Sequence, residues 1–170
     1  MKALILVDDG FEDLTVFLPW YRLREEGVDV CLASPRMHVV EGAHGYQIEP
    51  DLTIRNVNPT EFNLLLIPDG AAVERLRIRE EAVDVARTFM QEGLRVAALG
   101  HGPQLLISAG SLDGRRVTCS AGIRDDVRAA GAVYRDEGVV LDGNLLTGRG
   151  RDDLPTFAQH LVQLVSPCLT

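Results

Sequence analysis

Apolar residues in this chain fall in short unbroken runs, separated by longer stretches in which they recur every three or four positions. The runs at residues 3–7, 64–67 and 96–99 have no polar interruption, the pattern of strands buried on both faces. Residues 28–33 alternate instead, with Val28, Val30 and Leu32 on one side. Helical spacing marks residues 11–26, where Leu14, Phe17, Leu18 and Tyr21 share a face, and residues 80–92, with Val83, Ala86, Phe89 and Met90 on the inner side. Gly27 and Gly93 stop these helices, and Pro19 inside the first removes a backbone bond and predicts a kink. Two hairpins are expected. One brings residues 39–40 to 46–48, and the other joins residues 139–141 to 145–147 through Asp142-Gly143-Asn144. Residues 116–119 read as a short strand, 123–130 as a short helix ending at Gly131, and 152–165 as the last helix, with Asp152 or Asp153 as its cap. Strands alternating with helices predict an α/β three-layer sandwich around a mostly parallel sheet.

The most informative stretch is residues 95–106. A buried strand ends at Leu99, Pro103 opens a helix, and only Gly100, His101 and Gly102 lie between them. Proline suits a first helical turn, where its missing N–H would have no intrahelical partner. So abrupt a strand-to-helix turn is a nucleophile elbow, whose outward N–H groups favour negative charge. An elbow carries Ser or Cys at its apex, yet Gly100 has no side chain. In parallel sheets ligands bind at the carboxyl ends of strands. Residues 8–12, residues 69–74 and the Gly100-His101 pair occupy three such ends.

Length and charge narrow the function. At 170 residues the chain is expected to form one domain with a full core. Its 46% hydrophobic and 25% charged residues are ordinary for a globular protein, and no apolar run is long enough for a membrane span. A net charge of −8 argues against nucleic-acid binding, which needs clustered cations. The N-terminus lacks the pattern of a signal peptide, so a cytoplasmic location is expected. Cys31, Cys119 and Cys168 suggest neither a disulfide framework nor a zinc site. Cys31 reads as core and Cys168 as an incidental tail residue. Cys119 ends a strand near the crevice, where a stand-in nucleophile competes with a structural, buried cysteine. His38, His44 and His160 lack ligand spacing, so no metal is expected, nor any other cofactor.

Gly10-Phe11-Glu12-Asp13, His44-Gly45, Pro68-Asp69-Gly70, residues 98–104, Asp125-Asp126 with Gly131, and residues 140–144 together resemble the DJ-1/PfpI superfamily along essentially the whole chain. The likeness is to the PfpI-type intracellular proteases. It implies a flavodoxin-like fold related to class I glutamine amidotransferases, a homo-oligomer (dimer or hexamer), and peptidase, glyoxalase, deglycase or chaperone activity on a peptide or small molecule. It also implies a Cys-His site. The nucleophile would fall at Gly100, its histidine at His101, and a carboxylate at Glu74 would arrive from a neighbouring subunit. Glu12 would hydrogen-bond the thiol. Backbone N–H groups near Gly70 and His101, with Gly102 beside them, would bind an oxyanion. The chain departs from this pattern twice. Gly100 removes the thiol, and Asp69 stands where these proteins usually have glycine, which should disfavour a developing negative charge. Two readings follow: a thiol-deficient member or pseudoenzyme that keeps an anion or carbonyl pocket, or an active hydrolase or glyoxalase/deglycase that uses His101 with carboxylates or Cys119.

Overall fold

A computed structural model describes residues 1–166; Cys168 lies outside them. In chain order the strands are β1 (Lys2–Leu6), β2 (Asp29–Ser34), β3 (Val40–Glu41), β4 (Gln47–Ile48), β5 (Leu52–Thr53), β6 (Leu64–Ile67), β7 (Arg95–Leu99), β8 (Arg116–Val117), β9 (Val133–Tyr134), β10 (Val139–Asp142) and β11 (Leu145–Gly148). The helices are α1 (Asp13–Glu25), α2 (Ala72–Arg77), α3 (Glu80–Gln91), α4 (Pro103–Ser108), α5 (Arg124–Ala129) and α6 (Leu154–Val165).

Seven strands form one sheet in the order β10-β11-β7-β6-β1-β2-β5. Every pairing in it is parallel except the β10–β11 hairpin. Layers of apolar side chains fill both faces. Phe89, Leu105, Leu106 and Val127 from α3, α4 and α5 pack on one side, and Val16, Leu23, Phe157 and Leu161 from α1 and α6 on the other. That double cover explains the unbroken apolar runs: β1, β6 and β7 have no solvent-facing side to make polar. The architecture is the expected three-layer, flavodoxin-like α/β sandwich.

Several local expectations are corrected. α1 begins at Asp13 because Phe11 is held in an isolated antiparallel bridge with Gly70, leaving Glu12 as the cap. Its buried side chains are led by Val16, Pro19 and Leu23, whereas Leu14 and Tyr21 are exposed. Of the expected inner face, Phe17 and Leu18 pack partly against the core, and Leu14 and Tyr21 lie outside it. Residues 116–119 supply only the two-residue β8, which pairs with β9 in a separate small sheet. Asp153 caps α6 by position alone. Its carboxylate bonds Arg149 at 3.0 Å and makes no capping hydrogen bond.

Candidate active site

β6 and β7 end side by side, Ile67 pairing with Ala98, so the two turns that follow them are adjacent. After β7, the Gly100 N–H reaches the Gly148 carbonyl of β11 at 2.9 Å, and Gly102 donates to Leu99 O at 2.7 Å before Pro103 starts α4. Gly100 adopts φ +57°, a left-handed conformation costly for residues with a Cβ. The elbow read from the sequence is therefore present, with Gly100 at its apex and His101 next to it. Because its N–H is taken by Leu99, Gly102 shapes the turn and offers no donor to a ligand. After β6, Gly70 sits at φ +113°, and a Cβ there would lie 2.5 Å from Glu12 N and Gly10 O. Only glycine lets the Asp69 turn approach the start of α1 so closely.

Asp69 takes the place the sequence left vacant. A Cβ built on Gly100 would overlap Asp69 Oδ2 and Cγ and lie 2.6 Å from Oδ1. Asp69 Oδ1 accepts three hydrogen bonds: from Gly70 N at 2.7 Å, His101 N at 2.9 Å and His101 Nδ1 at 2.9 Å. The backbone donors expected to bind an oxyanion thus hold a carboxylate of the chain itself. Burial pushes the Asp69 carboxyl up, but the His101 ring and these two N–H groups outweigh it and hold it below the usual carboxylate range. The hydrogen bond to Asp69 raises His101 above its ordinary value against the opposing effect of burial, and the charges of Asp69 and Glu74 add to the rise. A carboxylate can only accept, so Nδ1 carries a proton and Nε2 is the ring nitrogen left for chemistry.

These groups line an open cavity of about 380 Å³ formed by Asp69, Gly70, Ala71, Glu74, His101 and Gln104. Glu74, on α2, lines it with His101 of the same chain. The short helix that follows Gly70 brings it there. Gln104 was missed by sequence reasoning. It is 9% exposed, and its Oε1 is buried without a hydrogen-bond partner among the described residues. Its position as the second residue of the elbow helix was the available signal.

Glu12 is not among the cavity-lining residues. Its Oε2 caps α1 by accepting from Thr15 N at 2.9 Å, and its backbone N–H holds Asp69 O at 2.9 Å. Its Oε1 is buried with no hydrogen-bond partner among the described residues, with His44 Nε2 at 3.7 Å. Cys119 is fully buried in the core, and burial pushes its thiol up to about 12; burial likewise pushes Cys31, which packs against the core, up to about 11. Neither is a thiolate at neutral pH. Among the described residues no cluster of three or more His, Cys, Asp or Glu is arranged for a metal ion, and no helix is long and apolar enough to cross a membrane.

The model of the DJ-1/PfpI family matches residues 1–164. The chain belongs to that family. The Deglycase PfpI of Pyrococcus furiosus is 46% identical over 165 residues, covering 97% of this chain and 99% of the relative. The protein/nucleic acid deglycase 2 of Escherichia coli is 37% identical over 167 residues, covering 96% and 97%. Among solved structures, a two-domain protein from Anabaena variabilis with DJ-1/ThiJ/PfpI-like and ferritin-like domains aligns at TM-score 0.93 and 34% identity, over 95% of this chain and 47% of that one.

Proposed function

We propose that this chain is a thiol-independent DJ-1/PfpI protein, a single domain over residues 1–170. On this reading it keeps the elbow cavity for a small polar molecule without running cysteine-dependent peptidase, glyoxalase or deglycase chemistry. The observation that carries the reading is the Asp69 carboxylate, which fills the space over Gly100 and occupies the N–H groups of Gly70 and His101. Glu12 Oε1, buried without a hydrogen-bond partner among the described residues, supports it, because the family resemblance gives that carboxylate a thiol donor at residue 100. Asp69 and Glu74 line the cavity together, so of the anion or carbonyl ligand expected the anion is disfavoured; a carbonyl with His101 as donor, or an amine, fits better.

The deglycase names of the two relatives make small reactive carbonyls the class to test first. Methylglyoxal turnover by the intact chain should sit near background, before and after treatment with a thiol-specific methanethiosulfonate. Turnover abolished by that reagent would overturn the reading and point to Cys119. The Asp69–His101 hydrogen bond favours a second reading, a hydrolase working through His101 and carboxylates.

A homo-oligomer, dimer or hexamer, acting in the cytoplasm completes the proposal. The stacked rings of Phe17, Trp20 and Tyr21, with Tyr46 against Phe17 and with Leu14 exposed beside them, support it as a face for a second copy. Light scattering at micromolar concentration should give a multiple of 18.6 kDa; a monomer would contradict it.

A further inference from the structure

We infer that Asp69 is a carboxylate nucleophile, and that the cavity hydrolyses small epoxides through an ester formed on Asp69 Oδ2. The inference rests on the thiol-independent reading and adds a reaction to it. It starts from the inequality of the two Asp69 oxygens. Oδ1 is gripped by three N–H donors. Oδ2 accepts no hydrogen bond among the described residues and is not one of the atoms sealed from solvent without a partner. It lies in the space over Gly100 that the elbow's own side chain would fill. The nucleophile's position is thus occupied by an oxygen that reaches it from the end of the adjacent strand.

The donors make sense in this light. In an elbow enzyme, backbone N–H groups stabilise the negative oxygen formed on an acyl carbon. Here they point at the acyl oxygen of Asp69 itself. They cannot serve a substrate carbonyl while Asp69 is seated there. They are, however, the groups needed to hydrolyse an Asp69 ester, because water attacking Cγ turns Oδ1 into the oxyanion in a seat that already has three donors. A carboxylate oxygen forms such an ester by attacking a saturated carbon that carries a leaving group. The cavity is lined by Asp69 and Glu74, which oppose a free departing anion. An epoxide avoids that difficulty, since its oxygen stays attached and needs only a proton. His101 supplies it. Its ring is 42% exposed, Nδ1 is held by Asp69, and Nε2 has no partner among the described residues.

The steps balance with water as the only co-reactant. Oδ2 attacks an epoxide carbon, the carbon–oxygen bond of the ring breaks, and the alkoxide takes the Nε2 proton of the imidazolium. This leaves a hydroxyalkyl ester and neutral His101. His101 then takes a proton from water as the hydroxide adds to Cγ, and the charge goes to Oδ1. When the intermediate collapses, the bond from Cγ to Oδ2, now the ester oxygen carried by the substrate, breaks. The carboxylic proton passes to that oxygen, releasing a diol and restoring the Asp69 carboxylate and the His101 imidazolium.

The test is a single turnover of propylene oxide, and separately of styrene oxide, by excess wild-type protein in heavy-oxygen water. The expected result is one heavy oxygen in the peptide containing Asp69 and ordinary oxygen in the first diol released. Asp69→Asn should lower turnover on the order of a hundredfold or more; the labelling is read on wild-type protein, so it stands even if that variant folds poorly. Heavy oxygen entering the first diol with Asp69 unlabelled, or no diol from either epoxide, would overturn the inference. Diol formation abolished by methanethiosulfonate would instead overturn the thiol-independent reading on which it rests.

Discussion

The molecule uses one device twice, at Gly42 and at Gly100. In both places an aspartate from elsewhere in the chain lies against a glycine and gathers backbone N–H groups. At Gly42 the aspartate is Asp13, which accepts from His44 N at 2.9 Å through Oδ2 and from Tyr46 N at 3.2 Å through Oδ1. A Cβ on Gly42 would lie 2.6 Å from that carboxylate. Both Asp13 oxygens are engaged, the residue is only 3% exposed, and among the described residues no histidine ring is bound to it. It is a clamp for the loop between β3 and β4. Asp69 differs in three respects: one oxygen is left free, the group faces a cavity, and one of its donors is a titratable ring. Packing a carboxylate against a glycine is therefore a structural solution, and the free oxygen and the histidine give the second instance a chemical capacity.

The largest expected effect falls on the clamp. Asp13→Ala removes the buried carboxylate that holds the part-buried His44 and Tyr46 N–H groups, and should cost about 3 kcal/mol in denaturant unfolding. A loss below about 1 kcal/mol would mean that the loop finds other acceptors. Asp69→Ala should cost less, about 1–2 kcal/mol, because water entering the open cavity can accept from the same donors. If Asp69→Ala proved the more damaging, the contrast between clamp and site would be reversed.

A smaller effect is in the pH dependence. The depressed Asp69 group adds stability that is present above its unfolded value and lost as pH falls through the folded one. The raised His101 group adds stability that is present below its unfolded value and lost as pH rises through the folded one. Both contributions are complete between about pH 4 and about pH 6.5. The gap in unfolding midpoint between wild type and Asp69→Asn should be widest there and narrow on either side. A gap that does not vary with pH would show that the pair is not coupled through its charges.

The fold and the elbow were legible in the sequence because their signals are local. An unbroken apolar run, two glycines and Pro103 define a strand, a sharp turn and a helix start without reference to the rest of the chain. β5, β9 and α2 were not, since two-residue strands exist only through their partners and a six-residue helix is too short to show a period. The seating of Asp69 was half legible. An acid beside the expected oxyanion donors was visible, but its return into those donors depends on β6 and β7 being neighbours and on a contact across 32 residues. The Asp13 clamp joins residues 31 apart and left no local trace.

The central claim is that Asp69 occupies the place of the missing thiol, and a two-by-two comparison of Gly100→Cys and Asp69→Gly tests it. Alone, Gly100→Cys should lower the unfolding midpoint. Strain at the left-handed apex costs about 1–3 kcal/mol, offset by about 0.4–1 kcal/mol from the stiffer unfolded chain, and the new side chain must also displace the Asp69 carboxylate. The introduced thiol should alkylate faster at pH 6–7 than Cys31, Cys119 or Cys168, because the helix start and His101 favour thiolate. Adding Asp69→Gly should raise both the midpoint and the alkylation rate above those of the single variant, since it empties the shared space and removes a like charge. Identical midpoints and rates with and without Asp69→Gly would contradict the claim, because two side chains that compete for one place cannot be independent.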